Sequence, residues 1–312
     1  MKNLLEGKDI IHSKQFSKEE LEQIIDTSLS FEKRLDSGEE LDLLSGKILG
    51  ALFFEPSTRT RLSFETAMQR LGGNIVTIAD PKTSSATKGE SMADSIRTVQ
   101  GYADIIAMRH PQVGSAEEAA KAANVPIMNG GDGAGQHPTQ ALLDIYTIRK
   151  EKGKIDGLTI SLVGDLKNGR TVHSLGYLLA HYDVKLNLIA PKQLAFPSSI
   201  KRELEDMGLE VNEFERMEEP LKETDVCYMT RIQKERFEDP QDYEDLKGVY
   251  VLDMEKVNNA KEGITIMHPL PRVDEIPEEV DGYEGAAYFR QAENGVPVRM
   301  ALIALILGRV DL

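Results

Sequence analysis

Short apolar segments alternate with helix-forming segments along most of the 312-residue chain. In the first half, four apolar segments have the length of a strand, and polar or helix-forming residues separate them: LSGKILGALFF (44–54), NIVTI (74–78), DIIAMR (104–109) and VPIMN (125–129). Runs of this kind are typical of strands in a parallel sheet that helices cover on both faces. The sequence therefore predicts an α/β fold.

A glycine-rich segment, GGDGAGQHPTQ (130–140), interrupts the alternation and leads into a helix-forming run. After it, six further strands are predicted: TISLVGD (159–165), KLNLIA (185–190), LEVNEF (209–214), DVCYM (225–229), GVYVLD (248–253) and GITIMH (263–268). We therefore predict two doubly wound parallel-sheet domains, with the active site in the cleft between them, at the carboxyl ends of strands. The predicted domains are residues 1–136, completed by a C-terminal helix within 291–312, and residues 137–290, which begin with a linking helix, 137–150.

Composition limits the classes of partner. The 37 Lys and Arg residues against 52 Asp and Glu give a net charge of −15, which argues against nucleic acid or an anionic membrane as the main partner. No apolar run reaches the roughly 18 residues of a membrane span, and the first residues lack the apolar stretch of a secretory signal, so we expect a cytoplasmic protein. Cys227 is the only cysteine, and neither CxxC nor HExxH occurs, so we expect no metal site and no cofactor.

The segment STRTR (57–61) poses an electrostatic question. It follows a predicted strand, and a helix is predicted to begin in it because apolar residues recur at helical spacing: Phe64, Ala67, Met68 and Leu71. Arg59 and Arg61 would then lie in the first turn, where the helix dipole disfavours cations. A bound anion resolves the conflict, because free backbone N–H groups and an arginine together bind phosphate well.

Salt bridges offer an alternative explanation for these arginines. Arg61 and Glu65 are i,i+4 neighbours, and we expect them to pair. Arg59 has Glu55 nearby in sequence, but we favour a ligand as its partner. The overall negative charge would repel a small anion, so a local basic cluster of this kind is needed to attract one.

Further polar clusters lie at or just after the ends of predicted strands: Arg109-His110-Pro111, Gln136 to Gln140, Gly164 to Arg170, Thr230 to Gln233, and His268 to Arg272. A single His or Arg at such a place is more often structural. With STRTR, however, the clusters recur at the strand ends where α/β folds bind ligands, which favours a binding or catalytic site.

Several long motifs together resemble the aspartate/ornithine carbamoyltransferase family, in particular the catalytic chains of its aspartate branch: FFEPSTRTRLSFE, KGES, MRHPQ, GDGxxQHPTQALLD, VGDLKNGRTVHSL, YMTRIQKER and HPLPRVDEI. The resemblance implies transfer of the carbamoyl group of carbamoyl phosphate to L-aspartate, giving N-carbamoyl-L-aspartate and phosphate in de novo pyrimidine biosynthesis. It further implies direct attack by the amine with electrostatic stabilisation, without a metal or a covalent intermediate.

The resemblance also assigns roles to individual residues. The phosphate would be held by Ser57, Thr58, Arg59 and Thr60, with Arg109 beside them. Hydrogen-bond donors to the carbamoyl oxygen would come from Thr60, Arg109 and His137, while Gln140 would fix the amide end. The carboxylates of aspartate would be bound by Arg170 and Arg231, with Gln233 assisting. The carbamoyl nitrogen or the incoming amine would meet the backbone carbonyls of Pro269 and Leu270.

Members of this family are homotrimers in which each active site lies between two chains. Ser84 and Lys88, from the loop DPKTSSATKGES (80–91), would therefore reach into the site of a neighbouring chain, where Lys88 would serve catalysis and both substrates. The resemblance also allows for separate zinc-bearing regulatory chains and for allosteric control.

Three other functions were weighed. An ornithine carbamoyltransferase shares STRTR, but its closing motif is typically HCLP rather than HPLP, and Arg231 with Gln233 suits a dicarboxylate. A binding or scaffold homologue would be expected to lack residues such as Lys88, Arg109, His137 or Arg231, and all are present. A nucleotide-dependent enzyme is disfavoured, because neither GxxxxGK[ST] nor a correctly spaced GxGxxG follows a strand.

Two positions depart from the family pattern, and one stretch allows two interpretations. Asn168 stands where Tyr is frequent, and Gly135 stands where Asn is frequent.

The charge-rich stretch QKERFEDPQDYEDLKG (233–248) is interpreted either as a solvated loop or as a mobile lid that closes over aspartate.

Overall fold

The computed structural model describes residues 2–79, 89–233, 239–246 and 248–310. The chain divides into two compact units. Unit 1 comprises Met1–Tyr146 and Asn294–Leu312, and unit 2 comprises Thr147–Glu293. The division falls inside one helix, and the domain bounds predicted from the sequence stay predictions.

Unit 1 contains a four-stranded parallel sheet in the order β2-β1-β3-β4. Its strands are β1 (Ile48–Phe53), β2 (Asn74–Ile78), β3 (Ile105–His110) and β4 (Ile127–Asp132). Its helices are α1 (Lys18–Asp36), α2 (Thr58–Arg70), α3 (Met92–Val99), α4 (Ser115–Ala122), the first part of α5 (Pro138–Lys152), and α11 (Gly295–Ile306). The strands β1, β3 and β4 are largely buried, as expected for a sheet covered on both faces.

A local sequence signal explains where the first helix of unit 1, α1, begins. Ser17 caps α1 through a capping box, in which its hydroxyl accepts from the Glu20 N–H and the Glu20 carboxylate accepts from the Ser17 N–H. The C-terminal helix α11 packs against α1 and α2, and nearly all of its side chains are buried. The end of the chain therefore completes the core of unit 1.

Unit 2 contains a five-stranded parallel sheet in the order β7-β6-β5-β8-β9. Its strands are β5 (Thr159–Val163), β6 (Lys185–Ile189), β7 (Glu210–Phe214), β8 (Val226–Met229) and β9 (Thr265–Met267). Its helices are the remainder of α5, then α6 (Arg170–Leu179), α7 (Ser198–Asp206), α8 (Pro240–Leu246), α9 (Met254–Asn259) and α10 (Tyr288–Glu293). Two parallel α/β sheets thus confirm the predicted fold class.

The strand predicted at 248–253 is wrong. The residues are not in a sheet, although Tyr250 and Leu252 are buried in the core of unit 2. The Leu252 N–H donates to the Glu275 carbonyl oxygen at 2.9 Å instead of to a neighbouring strand. Alternate burial of apolar side chains therefore imitates a strand without any ladder.

The loop interpretation of 233–248 is wrong for Pro240–Leu246, which form α8. Asp239 accepts a hydrogen bond from the Gln241 N–H at 2.8 Å, and Pro240 occupies the first helical position, where its missing N–H costs nothing. The lid interpretation of 233–248 stays a prediction, and residues 234–238 and 247 of this stretch lie outside the described residues. The same holds for residues 80–88 of the predicted loop 80–91.

None of the helices in the described parts of the chain combines the length and the apolar character that a membrane span requires.

Candidate active site

The strand order of unit 1 places its predicted ligand residues at a topological switch point. From β1 the chain passes to β2 on one side, while β3 pairs with β1 on the other side. Open α/β sheets leave a crevice at the carboxyl ends of two such strands, and ligands bind there. Arg59 follows β1 and Arg109 lies near the end of β3, so both belong to this crevice.

The helix α2 begins directly at the switch point. Ser57 is its N-cap, with extended backbone (φ −158°), and within the described part of the chain its side chain makes no capping hydrogen bond. The first N–H groups of α2 and the Ser57 hydroxyl are thereby left to bind a ligand. Thr60, one turn in, is buried, whereas Thr58 and Arg59 are exposed.

The arginines of this region differ in their partners. Arg61 lies 3.9 Å from the Glu65 carboxylate, which confirms the predicted i,i+4 pair. Arg109 Nε donates to the Glu55 carboxylate at 3.2 Å. Among the described residues Arg59 forms no ion pair, and its pKa is lowered, first by burial and then by the charge of Arg109. Two neighbouring guanidinium groups with one carboxylate leave a local excess of positive charge for an anion.

The turn between β4 and α5 presents the next two predicted residues, His137 and Gln140. A buried carboxylate, Asp132, holds this turn: its Oδ1 accepts from the Gln136 N–H at 2.6 Å, and its Oδ2 accepts from the Gly114 N–H at 2.8 Å. His137 is buried just before α5, and Gln140 is half-buried in the first turn. Because β4 pairs with β3, both residues lie at the same sheet edge as Arg109.

Gly135, one of the two departures from the family pattern, lies against Asp132. A Cβ atom at this position would approach both carboxylate oxygens of Asp132 to 2.8 Å. An Asn at position 135 would therefore require Asp132 to move in this chain. The structure accounts for the glycine through packing of the turn rather than through contact with a ligand.

Unit 2 has a second switch point, between β5 and β8. From β5 the chain passes to β6 on one side, while β8 pairs with β5 on the other. Arg170 is the first residue of α6, after β5, and Arg231 follows β8 by two residues. Both are partly exposed, as substrate-binding side chains must be.

The turn after β5 is held by backbone contacts and one buried acid. Asn168, the second departure from the family pattern, donates its backbone and side-chain N–H groups to the Asp165 carboxylate at 3.0 to 3.2 Å. Its carbonyl oxygen accepts from Gln233 Nε2 at 3.3 Å, which fixes Gln233 beside the start of α6. Asn168 therefore organises the turn that carries Arg170.

The HPLP turn (268–271) depends on a buried histidine. His268 Nε2 lies 2.7 Å from the Glu275 carboxylate, and His268 Nδ1 accepts from the Leu270 N–H at 2.8 Å. Burial lowers the pKa of His268, and the charges of Arg272 and Arg231 lower it further, against the opposing effect of Glu275. Leu270 has a left-handed backbone (φ 54°), and its peptide bond to Pro271 is cis. The backbone carbonyls of this turn are thus held in a fixed direction.

The structure brings the predicted residues together within each unit. Unit 1 collects at one sheet edge the residues Ser57, Thr58, Arg59, Thr60, Arg109, His137 and Gln140. Unit 2 collects at one edge Arg170, Arg231, Gln233, Pro269 and Leu270. Ser84 and Lys88 lie outside the described residues. No group of three or more His, Cys, Asp or Glu side chains in the described ranges is arranged to hold a metal ion.

Three buried carboxylates were missed in the sequence analysis: Asp132, Asp165 and Glu275. Each holds the turn that presents predicted ligand residues. An available signal was the presence of an acidic residue within GGDGAGQ, VGDLKN and HPLPRVDE, close to the predicted ligand residues. The sequence does not reveal that these acids are buried.

Known proteins share both the sequence and the fold of this chain. Residues 8–150 match the family described as aspartate/ornithine carbamoyltransferase, carbamoyl-P binding domain, and residues 156–306 match its Asp/Orn binding domain. The aspartate carbamoyltransferase catalytic subunit of Thermococcus kodakarensis is 53% identical over 302 residues, which are 97% of each chain. Aspartate transcarbamoylase from Trypanosoma cruzi, solved in complex with carbamoyl phosphate and aspartate, is 42% identical with a TM-score of 0.93, over 98% of both chains.

The catalytic subunit of M. jannaschii aspartate transcarbamoylase is 50% identical, with a TM-score of 0.89 over 95% of this chain and 96% of that one. These matches extend over nearly the whole length and include both units. They confirm the resemblance seen in the sequence motifs. The chain belongs to the aspartate/ornithine carbamoyltransferase family.

Proposed function

We propose that this chain transfers the carbamoyl group of carbamoyl phosphate to the amino group of L-aspartate, giving N-carbamoyl-L-aspartate and phosphate. The observation that carries the proposal is a pair of arginines at each switch point: Arg59 and Arg109 in unit 1, Arg170 and Arg231 in unit 2. A phosphate and a dicarboxylate are the anions that such sites suit. The names and bound ligands of the similar proteins support this pairing of substrates.

Unit 1 supplies the groups that bind carbamoyl phosphate. The phosphate is held by N–H groups at the start of α2, by the Ser57 and Thr58 hydroxyls and by Arg59. Thr60, Arg109 and His137 direct hydrogen-bond donors at the carbamoyl oxygen, where negative charge develops as the amine attacks. Losing one such preorganised donor typically lowers the rate by about 10² to 10³.

Unit 2 supplies the groups that orient aspartate. Arg170 and Arg231 bind its two carboxylates, with Gln233 assisting, and backbone carbonyls of Pro269 and Leu270 accept N–H bonds from the carbamoyl nitrogen or the amine. The amine forms a new bond to the carbamoyl carbon, the bond from that carbon to the phosphate oxygen breaks, and the phosphate leaves with one proton from the amine. Catalysis then consists mainly of positioning and electrostatic stabilisation.

The proposal extends to a cytoplasmic homotrimer whose chains share active sites, with Ser84 and Lys88 acting on the substrates of a neighbour. Mixing inactive Lys88→Ala chains with inactive Arg59→Ala chains tests this arrangement. Hybrid trimers should recover part of the activity, because some sites then combine an intact Arg59 with an intact Lys88. Hybrids that form but stay inactive would contradict shared sites. The zinc-bearing regulatory chains remain an expectation that comes from the family resemblance.

The direct test is phosphate release from carbamoyl phosphate by the purified chain, with L-aspartate in one sample and L-ornithine in another. We expect release with aspartate only, matched by formation of N-carbamoyl-L-aspartate. Release with ornithine only would assign the chain to the other branch of the family. Release with neither would favour a scaffold role or the need for a partner chain. The two arginines of unit 2 favour aspartate, because they would repel the cationic side chain of ornithine.

A further inference from the structure

Two buried charged residues, Asp144 and Arg299, lie near Gln140 in unit 1. Gln140 Nε2 donates to Asp144 Oδ1 at 2.9 Å, one turn further along α5. Asp144 is completely buried, and the nearby Arg299 of α11 is only 2% exposed. Charged groups are rarely buried so fully unless they are paired, because the cost of removing them from water is large.

Arg299 is held in place by three different contacts. Its Nη1 donates to the Gly295 carbonyl oxygen at 3.2 Å, its guanidinium lies 4.8 Å from the centre of the Phe64 ring, and the charge of Asp144 attracts it. Burial lowers the pKa of Arg299 to about 9, and Asp144 opposes that shift, so the side chain stays charged near neutral pH. Asp144 therefore interacts with the positive charge of Arg299 and with the Gln140 amide.

This arrangement determines which way the Gln140 amide points. A carboxylate only accepts hydrogen bonds, so the amide must turn its NH₂ group toward Asp144. The amide oxygen, Oε1, is then left as an acceptor on the half-buried side chain, and no described residue donates to it. An acceptor at this point matches an NH₂ group on the ligand and not a methyl group.

We propose that Asp144, with Arg299 as its buried counter-ion, is a positioning residue that orients the Gln140 amide and so selects a carbamoyl group over an acyl group of the same shape. The inference rests on the proposed function, because it takes carbamoyl phosphate as the ligand of unit 1. According to this inference, the buried residues Asp144 and Arg299 determine whether the site prefers a ligand with an N–H donor or one with a methyl group. Sites built to hydrogen-bond a donor reject analogues that lack it far more strongly than apolar pockets reject extra atoms.

The test compares two stable phosphonates that differ only at this group. Phosphonoacetamide carries an amide NH₂, and acetonylphosphonate carries a methyl group in its place. Calorimetric titration of the full chain gives the ratio of their dissociation constants. We expect the wild-type chain to prefer the amide by about tenfold to 100-fold, the usual effect of leaving one buried hydrogen-bonding group unpaired.

The variant Asp144→Asn should remove this preference. The positive charge of Arg299 attracts the Asn oxygen, so the Asn NH₂ group faces Gln140 and donates to its Oε1, and the Gln140 NH₂ then faces the ligand. The ratio of dissociation constants should fall to about one or reverse, while the affinity for inorganic phosphate stays within about threefold of wild type. The conservative variant Asp144→Glu keeps a carboxylate as acceptor, and it should retain most of the preference.

A second variant keeps the inference testable if the Asp144→Asn chain does not fold. If Asp144→Asn does not fold because it leaves Arg299 as an uncompensated buried charge, the double variant Asp144→Asn with Arg299→Met removes both charges, a replacement that is often neutral for stability. It should also lose the preference, because nothing then orients the amide.

Three results would overturn the inference. They are a folded Asp144→Asn chain or double variant that keeps the full preference, an Asp144→Glu chain that loses it as completely as Asp144→Asn, and a wild-type chain that binds both phosphonates equally. A wild-type chain that binds neither phosphonate nor inorganic phosphate would reject the proposed function itself, and the inference with it. Binding of both phosphonates with equal affinity leaves the proposed phosphate site intact, so the two failures are distinguishable.

Discussion

In the proposed mechanism, the two switch points of the molecule bind anions by different means. In unit 1, between β1 and β3, the site is made largely of the backbone N–H groups at the start of α2, with Arg59 added to them. In unit 2, between β5 and β8, long side chains are the proposed ligands, and one of them, Arg170, starts α6 directly after a turn held by the buried acid Asp165. A backbone site fits one compact anion, whereas two separate arginines can span the two carboxylates of a longer one.

The substitution Arg59→Ala has the largest predicted effect on activity. It tests how far carbamoyl phosphate binding in unit 1 depends on one side chain. Because Arg109 is already paired with Glu55, Arg59→Ala should lower kcat/KM for carbamoyl phosphate by about 10² to 10³. Steady-state kinetics with carbamoyl phosphate as the varied substrate measures this. Arg61→Ala is the matched control, since Arg61 pairs with Glu65, and it should cost less than about threefold. Equal losses in the two variants would contradict a special role for Arg59.

The substitution Gly164→Ala tests whether the turn after β5 in unit 2 has room for a side chain. Its φ is +115°, and a Cβ atom there would lie 2.3 Å from the Thr230 carbonyl oxygen, so Gly164→Ala should lower the free energy of unfolding by about 3 kcal/mol. Urea unfolding measures the loss. The control Gly208→Ala has a φ of +95° with open space around it, and it should cost about 1 kcal/mol. A loss at Gly164 no greater than at Gly208 would show that β8 can move away.

Arg231 should have a smaller effect than Arg59, because two arginines share the ligand in the site proposed for unit 2. Arg231→Ala should raise KM for aspartate by about tenfold to 100-fold and leave the affinity for carbamoyl phosphate near normal. Kinetics with each substrate varied in turn separates the two constants. Arg202→Ala, on an exposed position of α7, is the control and should change neither. Equal weakening of both substrates would reject separate roles for the two units.

Acidification should weaken unit 2 more than unit 1. Burial lowers the pKa of His110 in unit 1 and of His173 and His268 in unit 2. Unfolded histidines take up protons near pH 6.5 and the folded ones only below it, so stability falls as the pH drops below 6.5, by at most about 1.4 kcal/mol per pH unit for each histidine.

Urea unfolding between about pH 7.5 and 5.5 measures the total effect, and amide hydrogen exchange in β1 and β5 separates the two units. Protection in β5 should fall faster than protection in β1 as the pH drops. His173→Gln should reduce the slope for β5 alone. A slope that is the same in both strands would show that the units unfold together or that other groups dominate.

The sequence was most informative where short-range chemistry decides the structure. The helix that begins within STRTR and the strand at Ile48–Phe53 both follow from local patterns, and the structure confirms them. The motifs also indicated which residues gather at the sheet edges. Those predictions needed only the rule that parallel strands direct their carboxyl ends the same way.

Long-range partners explain what the sequence could not reveal. Residues 248–253 have the alternation of a strand, but Leu252 finds its hydrogen-bond partner in Glu275, which a local pattern cannot anticipate. Asp144 and Arg299 attract each other electrostatically although they lie 155 positions apart in the sequence. Buried acids of this kind are recognised only when the tertiary structure shows what surrounds them.

The composition of unit 1 from two separate chain segments affects the order in which the protein can fold during synthesis. Unit 2 ends at Glu293, before any residue of α11 has been made, whereas α11 contributes a buried helix against α1 and α2. Domains generally fold as units while the chain emerges from the ribosome. The core of unit 1 therefore stays incomplete until α11 has emerged, and until then the N-terminal segment exposes the apolar surfaces of α1 and α2.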